Sequence, residues 1–74
     1  MTNLDKLRII GSALHGPRWM RATARELGIN YRTVLRWDAE EFAPSDDTIR
    51  RLVDIARDRG DTISEAINAV HRLR

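Results

Sequence analysis

The chain has 74 residues, no Cys, and 13 Lys and Arg against 11 Asp and Glu, for a formal net charge of +2. So short a chain supports one domain, 1–74, with a small core, and the absence of Cys excludes a disulfide framework and a thiolate metal site. No long apolar run opens it, so neither a signal peptide nor a membrane span is expected, and a reducing cytoplasm is the expected compartment.

Leu4, Leu7, Ile10 and Leu14 recur at helical spacing and predict a first amphipathic helix over 3–15. Gly16-Pro17 stops it, because Pro interrupts a helix interior yet suits the first turn of the next. A second helix then runs from Pro17 or Arg18 to Leu27, and Gly28 supplies the positive φ of a tight turn. Asn30 is the N-cap of a third helix that reaches about Asp38. Asp38 to Pro44 is a linker whose one apolar anchor, Phe42, is expected in the core. Ser45 with Asp46 and Asp47 starts a fourth helix over 46–59, with Ile49, Leu52, Val53 and Ala56 inward and Gly60 as its stop. Thr62 and Glu65 have the spacing of a capping box for a fifth helix, 63–72, with the apolar stripe Ile63, Ala66, Ile67, Val70 and Leu73. No segment alternates over a strand's length, so the predicted class is all-α.

Charge divides unevenly along the chain. Residues 1–37 hold seven Lys and Arg against two acids, whereas 38–74 hold six Arg against nine acids. The excess falls where a polyanion footprint would need it. Within Met20–Trp37, Ala24, Gly28, Ile29, Val34 and Trp37 are the residues two helices need to pack around a turn. Asn30, Tyr31, Arg32, Leu35 and Arg36 are left outside as candidate DNA base contacts. Each Arg can fork to guanine O6 and N7, and Leu35 can meet a thymine methyl. Arg18, Arg21 and Thr33 are candidate phosphate contacts. The competing reading of Arg32 and Arg36 is a solvated face paired with Glu26 or Asp38, and that of Tyr31 is local packing. Trp19 and Trp37 are read as structural. His15 and His71 lie far apart and suggest no metal site, no cofactor is implied, and no nucleophile–base constellation suggests an enzyme.

With these residues in place, the chain resembles the Cro/C1-type (XRE-like) helix-turn-helix repressors of phages and bacteria. The resemblance rests on Ala24, Leu27-Gly28-Ile29, Arg32-Thr33-Val34, Arg36-Trp37 and Pro44, and covers about 17–59. It implies a lambda-repressor-like fold, a compact bundle of about five helices. It also implies a sequence-specific transcriptional regulator of double-stranded DNA, usually a dimeric repressor or autorepressor on an inverted-repeat operator. Small phage regulators of this look include Cro-like switches and autoregulators encoded beside anti-CRISPR genes. Three residues depart from the family pattern. Met20 replaces a Gln that touches phosphate, leaving that contact to Arg18 or Arg21. Tyr31 replaces a base-reading Gln, and Glu40 stands where Gly often ends the reading helix.

One such module buries little DNA, so a homodimer reading two half-sites is expected. The candidate interface is the fifth helix within 61–74, through Ile63, Ala66, Ile67, Val70 and Leu73. The same stripe would alternatively complete the monomer's core. No small-molecule ligand and no membrane partner are expected. The rival function is an antitoxin or adaptor that acts mainly through a protein partner.

Overall fold

Thr2 starts the first helix. Its Oγ1 accepts from the Asp5 backbone N–H at 3.1 Å, and Asp5 Oδ2 accepts from the Thr2 backbone N–H at 3.1 Å. This reciprocal capping box satisfies two amides that the helix end leaves free. The Thr2 backbone N–H, together with its hydroxyl, holds the Asp5 carboxyl below its ordinary range. The cap therefore contributes at neutral pH and is lost as pH falls through that lowered value.

The computed structural model describes residues 1–72, all of whose regular elements are helical. Helix α1 spans Asn3–His15, and a 3₁₀ turn, Gly16–Arg18, leads into α2, Trp19–Leu27. Helix α3 spans Tyr31–Asp38, and α4 spans Asp46–Arg72. Leu4 and Leu7 of α1, Trp19, Ala24 and Leu27 of α2, Val34 and Trp37 of α3, and Ile49 and Leu52 of α4 form one buried cluster. Burying each large member of that cluster is worth about 1.5–3 kcal/mol. Gly11 lets α1 approach α2 closely, since a Cβ there would lie 2.6 Å from Trp19 Cε3 and 3.0 Å from Thr23 Oγ1.

Polar ties fix the frame. Asn3 Nδ2 donates to the Pro44 carbonyl at 3.0 Å and to Asp46 Oδ1 at 2.8 Å, joining the starts of α1 and α4. Farther along, Ile10 and Leu14 line a shallow groove with Ala56 and Ile63, so α1 and α4 run in the same direction. Arg8 Nε donates to Asp38 Oδ1 and its Nη2 to the Asp38 carbonyl, both at 3.0 Å, and so holds the end of α3. Arg51 Nη2 donates to the Leu27 carbonyl at 2.9 Å, and Arg59 Nη2 to Glu26 Oε1 at 2.5 Å.

Three expectations are corrected. The fourth and fifth predicted helices are one continuous helix of 27 residues, so the described residues form four α-helices and a 3₁₀ turn instead of about five helices. Gly60 stays helical, for it is absent from the positive-φ glycines Gly16 and Gly28. Nor does Thr62 cap a new helix; its Oγ1 donates to the Asp58 carbonyl at 3.1 Å, a bond one turn back within the same helix. Phe42 is 48% exposed and meets Trp37 only edge-on, with ring centroids 6.4 Å apart, so it lies over the core rather than in it. The molecule is also less compact than a bundle. Its radius of gyration is 14.3 Å and its extents are 51 × 21 × 20 Å, because α4 runs on past the end of α1. A compact chain of this length would have a radius of gyration of about 11 Å.

Candidate nucleic-acid interface

The turn between α2 and α3 is closed by backbone bonds. Gly28 has φ 68°, and its N–H donates to the Arg25 carbonyl at 3.2 Å, while the Ile29 N–H donates to the Ala24 carbonyl at 3.0 Å. This is a Schellman closure with glycine at the left-handed position. Two residues later, Asn30 Oδ1 accepts from the Arg32 N–H at 2.8 Å and starts α3. The turn is short because one cap ends where the next begins. Val34 and Trp37 bury one side of α3, and α2 packs closely behind it.

The opposite side of α3 is open. Arg32 and Arg36 are exposed and lie one turn apart, and Leu35 beside them is 39% exposed, so these three share a face. Asn30 is exposed at the N-terminal end, with its Oδ1 committed to the cap. Tyr31 is half-buried, and the Arg21 guanidinium sits 4.3 Å from its ring centroid in a cation–π contact. The local-packing reading of Tyr31 thus describes its ring. Thr33 is half-buried on the flank of α3, between the buried side and Arg36 one turn on. Arg18 is exposed at the start of α2.

Arg25 was not among the residues singled out from the sequence. It is exposed on α2 and lines a shallow depression with Arg18, Arg21, Met20 and Tyr31. Its spacing was the available signal, since Arg18, Arg21 and Arg25 follow the i, i+3, i+7 pattern of a single helix face.

The electrostatics of the face depend on where its acids go. Glu26 and Asp38 are the acidic residues nearest in sequence to these arginines, and both are engaged elsewhere. Asp38 pairs with Arg8 at 3.0 Å, and Glu26 pairs with Arg59 at 2.5 Å, with His15 Nε2 at 3.7 Å from the same oxygen. Among the described residues, Arg18, Arg21, Arg25, Arg32 and Arg36 have no ion-pair partner. The competing picture, in which Glu26 or Asp38 neutralises Arg32 and Arg36, is not what the chain does. Five exposed arginines on α2, α3 and the 3₁₀ turn before α2 therefore present an unneutralised surface suited to an anionic partner.

Comparison with protein-family models, curated proteins and solved structures finds no match for this chain. Among the described residues, no helix is long and apolar enough to cross a membrane.

Proposed function

We propose that the chain is a sequence-specific regulator of double-stranded DNA in which α2, the Gly28–Asn30 turn and α3 act as a helix-turn-helix. Helix α3 enters the major groove, where a helix fits and each base pair presents a distinct set of donors, acceptors and methyl groups. Arg32 and Arg36 fork to guanines, and Leu35 between them meets a thymine methyl. Arg18 and Arg25 contact phosphates beside the groove. Arg21, stacked on Tyr31, reaches the backbone as a pre-oriented cation and steadies the start of α3. The observation that carries this reading is the set of five arginines without an ion-pair partner among the described residues, the acids closest to them in sequence being held by Arg8 and Arg59. The charge asymmetry and the resemblance to Cro/C1-type repressors support the same reading, with repression of the chain's own operon as the corresponding role.

Two substitutions test the division of labour. Arg36→Ala is expected to cost about 1–3 kcal/mol on the preferred duplex and to relax specificity at one position. Arg18→Ala is expected to weaken all duplexes alike and to lower the slope of log affinity against log salt by about one. Titrations at several salt concentrations measure both. Equal losses on preferred and random DNA for Arg36→Ala would overturn its base-reading role.

A further inference from the structure

The end of α4 carries an apolar face that its own chain does not cover. Every residue from Asp61 to Arg72 is exposed, and Ile63, Ile67 and Val70 are 54%, 50% and 63% exposed. The alternative in which this stripe completes the monomer's core is thereby removed for its described members; Leu73 lies outside the described residues. The stripe continues the face by which α4 packs on the body. Ile49, Leu52, Ala56, Ile63, Ala66 and Val70 alternate at spacings of three, four and seven, the period of a helix seam. A shallow apolar groove formed by Ile9, Ile10, Ala13 and Leu14 of α1 against Ala56 leads directly to Ile63. Ile9, 55% exposed, adds to the same uncovered surface.

We propose that this segment pairs antiparallel with the same segment of a second copy, Ile63 of one chain lying opposite Val70 of the other. Three features select this occupant. The first is charge. At 100° per residue, Asp61, Glu65 and Arg72 fall on the side away from the stripe, which is flanked by Thr62, Ser64, Ala69 and His71. A helix made for an anionic lipid surface carries Lys and Arg along its polar face, and this one has acids there. Two copies meanwhile approach with no carboxylate or guanidinium at the seam. The second feature is shape. With the two-fold axis between Ala66 and Ile67, the small Ala66 of each chain faces the bulky Ile67 of the other, so the surfaces interlock.

The third feature is steric and decides the direction. Upstream of Gly60, the stripe side of α4 is occupied by α1 and α2 of its own chain. A parallel partner would run back into that occupied region and bring its own α1 and α2 into it. An antiparallel partner overlaps only over 61–72, about 18 Å of helix, and its body lies beyond the tip. In that register, Val70 of the second copy abuts Ile63 at the mouth of the groove, and Leu14 and Ile10 extend the contact. This pairing goes beyond the DNA reading and does not depend on it.

The natural absence of Cys gives a clean test. Ile63→Cys and Val70→Cys chains, mixed and oxidised, are expected to form the mixed disulfide in preference to either symmetric one, read by intact mass. Symmetric 63–63 and 70–70 products would overturn the antiparallel register. Sedimentation equilibrium of the unmodified chain is expected to show a dimer, and a monomer throughout the micromolar range would overturn the pairing itself. Ile67→Glu is expected to weaken association about thirtyfold or more, with helical circular dichroism and the fluorescence of buried Trp19 and Trp37 unchanged. A folded Ile67→Glu chain that still dimerises as tightly would contradict this interface.

Discussion

Arg8, Arg51 and Arg59 hold the frame through contacts to Asp38, the Leu27 carbonyl and Glu26, while Arg32 and Arg36 point away from it. In composition these residues are alike. What separates them is the identity of the acid or carbonyl each meets from a distant element, and a local reading of spacing has no access to that. The outward placement of Arg32, Leu35 and Arg36 was legible, because Val34 and Trp37 fix the inner side of a two-turn helix. Thr33, expected as a phosphate contact, is half-buried at the border between the side of Val34 and Trp37 and the open side. Glu40 is a residue whose conformation opposes its chemistry. It has φ 63°, and the Glu40 and Glu41 N–H groups donate to the Trp37 and Arg36 carbonyls at 2.9 and 3.0 Å. This repeats the closure that Gly28 makes after α2, with a side chain where glycine is easiest and a negative charge at the negative helix end. Glu40→Gly is therefore expected to stabilise the chain by about 0.5–1 kcal/mol, offset in part by unfolded-state entropy, in urea titrations. A loss of stability would show that the Glu40 side chain itself makes a stabilising contact.

Elements bounded by strong local signals matched their expected limits. Asn30 caps α3, Ser45 Oγ accepts from the Thr48 N–H at 3.1 Å at the start of α4, and Gly28 ends α2. Each depends on neighbours a few residues away, so the spacing alone carries the information. The Gly60 region shows the converse. A glycine followed by Thr62 and Glu65 fits both a stop-and-restart and an uninterrupted helix, and only the backbone path distinguishes them. Because Gly60 is helical and nothing lies within 4 Å of a Cβ built there, Gly60→Ala is expected to stabilise α4 by about 0.5–1 kcal/mol. Had Gly60 ended a helix in the left-handed region, the same change would destabilise. Thermal melts of the two chains give the sign directly, and a lower midpoint for the Ala variant would restore the two-helix arrangement. Gly11 was silent in the sequence for another reason: its role is the close approach of Trp19 and Thr23, which belong to a different helix.

At the scale of the molecule, the chain keeps its charged and its apolar exposed surfaces apart. One end carries the arginines of α2 and α3, and α4 extends its apolar stripe past the body along a 51 Å long axis. The excess of positive charge in residues 1–37 was visible from where the charged residues fall, and the all-helical class from the spacing of the apolar ones. The elongated shape was not, because it follows from the continuity of α4 through a single glycine. The proposed dimerisation and the proposed DNA reading are separable, because the first would use 61–72 and the α1–α4 groove and the second α2 and α3. A dimer would give a reader with two copies of α3 a symmetric target, since protein two-fold symmetry is mirrored in operator symmetry.

Whether α3 reads base sequence is decided by selection from a random duplex library. An enriched motif, bound about a thousandfold or more tightly than random duplex at matched salt, is expected. The Arg32→Ala, Arg36→Ala double variant, still folded by circular dichroism, is expected to recover no motif. Absence of enrichment by the unmodified chain, with weak binding that only fades as salt rises, would contradict base reading by α3 and reduce the arginine face to a general polyanion contact.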